Sequence, residues 1–78
     1  MAKLVFLGRL ADLAGAPERE VAPGPLADVL AALPRDLAVA LLDERVRLAL
    51  NGTLKTGGEA VVLSDGDELA FLPPVSGG

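Results

Sequence analysis

Two short apolar runs stand near opposite ends of the chain: Lys3 to Gly8, KLVFLG, and Glu68 to Leu72, ELAFL. Each has the length of a strand and carries aromatic or branched side chains that suit one. The second is too hydrophobic at Leu69, Phe71 and Leu72 for the edge of a sheet. It is therefore expected beside the first, parallel to it, with the chain between them forming a helical crossover. The first run reads as a strand buried on both faces. Placing these two together fixes the centre of the fold, and the segments between them have to be arranged around it.

Those segments carry clear signals. Leu10, Leu13 and Ala14 recur at helical spacing, and Gly15 with Pro17 supplies a stop. Glu18 to Ala22, EREVA, is a weak second strand. The chain turns at Pro23 to Pro25, with Pro25 expected as a first helical residue, where its missing N–H costs nothing. Leu26, Val29, Leu30 and Leu33 then form the stripe of a principal helix, which Pro34 stops. Asp36 is expected to cap a further short helical segment through about Glu44. Val46 to Leu50 reads as a strand, and Asn51-Gly52 suits the positive φ angles of a type I′ turn. A Gly57-Gly58 loop leads into AVVL, and the Asp65-Gly66 turn precedes the last strand. This order predicts an α+β domain over residues 1–72, a mixed sheet of four to five strands packed against one principal helix. Residues 73–78 form an extended C-terminal tail.

Composition narrows the function. The 78 residues include no cysteine and no histidine, so disulfides, thiolates and the common zinc sites are ruled out as supports for the single core. Packing of Leu, Ala and Val, with Phe6 and Phe71 as the two aromatics, has to stabilise it. No apolar run approaches the roughly 18 residues of a membrane span, and Met1 opens onto a charged strand rather than a signal peptide, so a cytoplasmic protein without a membrane association is expected. The net charge of −4 argues against nucleic acid, which is bound by clustered Lys and Arg, and in favour of a basic protein partner.

No side chain is equipped for catalysis. SDGDE, Ser64 to Glu68, gathers carboxylates but matches only a fragment of a calcium loop, so a solvated turn is the expected reading. Gly57-Gly58 lacks the following Lys-Ser/Thr of a phosphate loop. Thr53, Thr56, Ser64 and Ser76 have no histidine to activate them. The chain is thus expected to be non-catalytic on its own, with no bound cofactor and no metal. What remains is the α-carboxylate of Gly78. A carboxylate is a poor electrophile, but an acyl adenylate has a good leaving group, and sulfur can replace AMP to leave a thiocarboxylate. Gly77 and Gly78 lack Cβ atoms and can thread a narrow channel. Pro73 and Pro74 favour an extended path, so Pro73 to Gly78 would span roughly 19 Å at about 3.1 Å per residue.

On DGDELAFLPPVSGG, Asp65 to Gly78, and less specifically on FLGRLADLAG, Phe6 to Gly15, and the Asn51-Gly52 turn, the chain resembles the MoaD-type small subunits of molybdopterin synthase. These are sulfur carriers with a ubiquitin-like β-grasp fold. The resemblance implies that a MoeB-type adenylyltransferase uses Mg-ATP to adenylate Gly78 and that a desulfurase or sulfurtransferase supplies sulfur. It also implies that the loaded tail enters a MoaE-type large subunit, in a heterotetramer, and donates sulfur to cyclic pyranopterin monophosphate, forming the dithiolene of molybdopterin. Carriers for thiazole synthesis or tRNA thiolation, and ubiquitin-like modifiers joined to lysines, share the same ending and stand as alternatives. A partner surface is expected as an apolar patch on the open face of the sheet near the tail. Phe6, Leu69 and Phe71 are candidates for either that surface or the core, and Pro73, Pro74, Val75 and Ser76 are candidates for partner contact.

Overall fold

The computed structural model describes residues 1–55 and 60–74. Strand β1 (Ala2–Phe6) lies parallel to β7 (Glu68–Leu72), with Leu4 opposite Leu69 and Phe6 opposite Phe71. This is the pairing expected from the two terminal apolar runs. On the far side of β1 runs β2 (Glu18–Val21), and on the far side of β7 runs β4 (Arg47–Leu50), which turns back into β5 (Thr53–Lys55). The sheet order is β2-β1-β7-β4-β5, so the last strand is its centre.

Helices α1 (Arg9–Ala14), α2 (Leu26–Ala31) and α3 (Arg35–Leu41) supply much of the rest of the core, to which Leu33, Val61 and Leu63 add from outside the helices. Leu10, Val29, Leu30, Leu33, Leu37 and Leu41 are buried in one cluster with Leu4, Phe6, Leu69 and Phe71. The stripe on Leu26, Val29, Leu30 and Leu33 packs as its spacing requires, but Pro34 leaves α2 only six residues long, and α3 shares the work with Leu37 and Leu41. Pro25 is not the first helical residue. It holds extended angles (φ −58°, ψ 142°) as the N-cap of α2 and pairs across to Val62 in a small ladder between β3 (Gly24–Pro25) and β6 (Val62–Leu63). Asp36 is likewise not a cap: Pro34 holds that position and Asp36 lies inside the first turn of α3, which ends at Leu41 rather than Glu44. The expectation that β1 is buried on both faces also needs correction. Ala2, Leu4 and Phe6 are buried, whereas Lys3 and Val5 are half-exposed, because the helices cover one face of the sheet only.

Turn chemistry follows the sequence closely. Gly15 ends α1 in the left-handed region (φ 81°), with its N–H donating 2.9 Å to the Ala11 carbonyl. Asn51 and Gly52 take φ of 50° and 85°, as a type I′ hairpin requires. The Asn51 side chain also ties this hairpin to the start of β7. Its Oδ1 accepts from the Glu68 N–H at 2.9 Å, and its Nδ2 donates to Asp67 Oδ1 at 3.1 Å. Asp67 Oδ2 in turn accepts from the Ser64 N–H at 2.8 Å. Two of the three SDGDE carboxylates therefore have structural partners, Asp67 as above and Asp65 with the amino group of Met1, and among the described residues no three metal-ligating side chains converge.

The backbone N–H of Ser64, and then the Asn51 amide, hold the Asp67 carboxyl below its ordinary pKa. The Arg45 guanidinium, followed by the Arg45 N–H, draws that of Asp43 down to about 2. Folded-state values below the unfolded ones mean stability is complete above about pH 4 and is lost as pH falls from there toward 2. Melting temperature is accordingly expected to fall over this range, and Asp67→Asn should flatten the acid limb. Asn51→Ala should cost roughly 1 kcal/mol by thermal melting, for its hydrogen bonds and the positive φ. An acid limb of unchanged slope in Asp67→Asn would dissociate the carboxylate from stability.

Candidate functional site: the root of the tail

Strand β7 delivers the chain to Pro73 and Pro74 from the middle of the sheet. Phe71 has no exposed surface, and its ring stacks on Phe6 with centroids 5.8 Å apart and planes within 16°. Leu69 is also fully buried and Phe6 nearly so. These three are core residues, and the partner-surface role considered for them is corrected: their side chains point toward the helices. What they contribute to the site is a rigid base. The N–H of Leu7 adds a last bond to the Phe71 carbonyl at 3.1 Å, extending the β1/β7 pairing to the point where the tail begins.

Pro73 and Pro74 are half-buried against the body of the protein. Pro73 passes close over Gly8, where φ is 56° and an added Cβ would stand 3.1 Å from Pro73 Cγ. Pro74 lies between two hollows. One is walled by Arg9, Leu10 and Leu13 of α1, Ala40 of α3, Asp43 and Val46; the other by Glu44, Arg45 and Arg47. The first two residues of the expected tail are thus part of the molecular surface. Val75, Ser76, Gly77 and Gly78 lie outside the described residues, as does the Gly57-Gly58 loop.

The open face of the sheet carries the apolar patch that sequence reasoning placed on other residues. Side chains alternate along each strand, so with Leu4, Leu69 and Phe71 facing the helices, Val5, Ala70 and Leu72 face the other way. Val5 pairs with Ala70, Ala70 with Ala49 and Ala49 with Leu54, forming one apolar row across four strands. Leu72, nearest the tail, stands beside Arg47. Leu54 is 64% exposed, and the Lys3–Glu18 ion pair at 3.5 Å borders the row. These residues were missed although the signal was present: assigning Leu69 and Phe71 to the core commits Ala70 and Leu72 to the opposite face.

Electrostatics at the root are uneven. Arg45 closes a two-point bond onto Asp43, through Nη2 at 3.0 Å and Nε at 3.2 Å, and its charge is largely matched there. Among the described residues Arg47 has no such partner. No described helix is long and apolar enough to cross a membrane.

Known proteins share both the sequence pattern and this architecture. The chain is 39% identical, over the full length of both proteins, to the molybdopterin synthase sulfur carrier subunit of Escherichia coli. The solution structure of small archaeal modifier protein 1 from Methanosarcina acetivorans superposes with a TM-score of 0.75 at 28% identity, covering 99% of this chain and 95% of that one. The crystal structure of the corresponding protein from Haloferax volcanii gives 0.67 at 29% identity, over 99% and 98% of the two chains. The fold is the ubiquitin-like β-grasp, a mixed five-stranded sheet with helices on one face. The sequence model of the ThiS family matches residues 4–78, from β1 through both prolines to the paired glycines, and the chain belongs to the ThiS family.

Proposed function

We propose that the chain is a sulfur carrier whose reacting group is the α-carboxylate of Gly78. The observation that carries this reading is full-length kinship with a molybdopterin synthase sulfur carrier subunit, in a chain whose central strand leads directly into the Pro-Pro and Gly-Gly tail. A Gly78 carboxylate oxygen attacks the α-phosphorus of ATP, held with Mg by a MoeB-type activating enzyme, and pyrophosphate leaves. A sulfur nucleophile at the oxidation level of hydrosulfide, drawn from a desulfurase or sulfurtransferase, then attacks the acyl carbon. The carbon–sulfur bond forms, the bond to the phosphate oxygen breaks, and AMP departs with the electron pair. This chain supplies no acid or base to either step, consistent with its lack of histidine and cysteine.

The acceptor in this reading is cyclic pyranopterin monophosphate, bound by a MoaE-type large subunit that forms a heterotetramer with the carrier. The open-face row of Val5, Ala49, Leu54, Ala70 and Leu72 is the docking surface, since an apolar patch at the base of a reacting tail suits a partner that must enclose it. Gly77 lets the tip thread the partner's channel, while Val75 and Ser76 contact its walls.

Loading tests the first half. Incubation with activating enzyme, Mg-ATP and a sulfur donor is expected to replace one oxygen by sulfur, visible by intact-mass analysis, and an unchanged mass would remove the basis of the proposal. Adding the large subunit and the pyranopterin should then yield molybdopterin, and failure at this step alone would redirect the carrier to another acceptor. The likeness to two small archaeal modifier proteins favours a second reading, conjugation to protein lysines. Isopeptide-linked species of higher mass would identify it.

A further inference from the structure

Pro74 forms a ridge with a hollow on either side, and the two hollows differ in chemistry. On the helix side, Leu10, Leu13, Ala40 and Val46, together with Arg9 and Asp43, wall a mostly apolar groove of about 370 Å³. Leu13 is 50% exposed there, and the neighbouring α3 surface carries Val39 and Leu42, 61% and 66% exposed. On the other side Arg47 lines a hollow with Glu44, Arg45, Pro73 and Pro74. Its neighbour Arg45 is occupied by Asp43, which leaves Arg47 on this side, and Arg9 in the groove on the other, as cations at the root without an ion pair among the described residues. An enzyme that encloses the tail must pass over this ridge, because Pro74 belongs to both hollows and leads directly to the reacting end.

We propose that the enzyme adenylating Gly78 grips the root of the tail from both sides, seating an apolar side chain in the Leu10–Leu13–Val46 groove and a carboxylate against Arg47. The proposal rests on the carrier reading and adds the chemistry of the partner's rim. A guanidinium suits a carboxylate because it offers two parallel N–H donors, which fixes direction as well as attraction. The apolar contact on the opposite side prevents the stiff Pro-Pro segment from tilting. The two together set the line along which the tail advances, and Arg47, paired with Leu72, joins this grip to the edge of the open-face patch.

The test uses the full chain ending at Gly78, with activating enzyme, Mg-ATP and a sulfur donor, and reads kcat and KM for the carrier. Arg47→Glu is expected to raise KM roughly tenfold or more with kcat retained at saturation, as loss of a charge pair at a docking rim should. Leu13→Gln, a half-exposed position, should raise KM severalfold. Arg19→Glu, on the distant edge strand β2, should leave both constants near wild type. Wild-type KM should climb with ionic strength, and that dependence should be weaker in Arg47→Glu. KM values within about twofold of wild type for Arg47→Glu, or an equal rise in Arg19→Glu, would overturn the grip. If Leu13→Gln melts early, the Arg47→Glu constants and the wild-type salt dependence still decide. A wild-type protein that is never adenylated would instead overturn the carrier reading, and this proposal with it.

Discussion

Phe71→Ala is expected to remove most of the stability of the fold. Phe71 is fully buried on the central strand and stacked on Phe6, so truncation removes a large apolar contact area and leaves a cavity between sheet and helices. Such changes cost about 3–5 kcal/mol. A chain of this length has roughly 4–12 kcal/mol in all, and each kcal/mol corresponds to about 4–8 °C in a small domain. A fall in Tm on the order of 20 °C, or failure to fold at 37 °C, should be seen by circular dichroism. Phe71→Leu, which keeps much of the volume, should cost about 1.5 kcal/mol or less. Leu54→Asp, on the open face, should leave Tm nearly unchanged while weakening partner binding. If Phe71→Ala melts within a few degrees of wild type and fails instead in partner binding, the assignment of Phe71 to the core is wrong and that of the open face loses its argument.

That contrast shows where sequence reasoning reached and where it stopped. The parallel pairing of β1 with β7 was legible because ELAFL is too apolar for an edge, and a strand that must be flanked on both sides narrows the arrangements sharply. The Gly15 stop and the Asn51-Gly52 turn were legible because each depends on local φ preferences alone. The division of the helical layer was harder. Leu37 and Leu41 repeat at helical spacing as Leu26, Val29, Leu30 and Leu33 do, and only the packing shows that both short helices bury a face. The Gly24–Pro25 ladder was invisible, because its two residues pair with Val62 and Leu63 nearly forty positions away.

At the site, the proposal of Gly78 as the reacting end comes from residue chemistry, whereas the surface around its root was not legible that way. Phe6, Leu69 and Phe71 drew attention as the largest apolar residues near the tail, yet size also makes them the best core fillers. The patch on the open face is built from smaller residues, Val5, Ala49 and Ala70, which become a surface only when register places them in one row. Arg47 and Leu13 are of the same kind. They lie 26 and 60 residues before Pro73 in sequence (73 − 47 and 73 − 13), and it is the return of β4 and α1 to the end of β7 that sets them beside the tail.

Adding one residue after Gly78 is expected to abolish loading. The extension moves the carboxylate about 3.5 Å along the tail, and places a Cβ where the channel was passed by glycine. Misplacement of a reacting atom by about 1 Å is enough to cost on the order of a hundredfold in rate, so turnover to the thiocarboxylate should fall below detection by mass. An extension before Met1 should be tolerated for a structural reason. Because β1 and β7 run parallel, Met1 lies beside Gly66 at the start of β7, with its carbonyl accepting the Gly66 N–H at 2.9 Å, and the tail leaves from the other end of that five-residue strand. Met1 and the root of the tail at Pro73 are therefore separated by the length of the strand, about 17 Å. Neither extension should shift Tm appreciably, since the described core runs from Ala2 to Phe71 and includes no residue beyond it. Loading lost equally in both extended proteins would point to general interference with docking. Loading retained after the C-terminal addition would show that the Gly78 carboxylate is not the group that reacts.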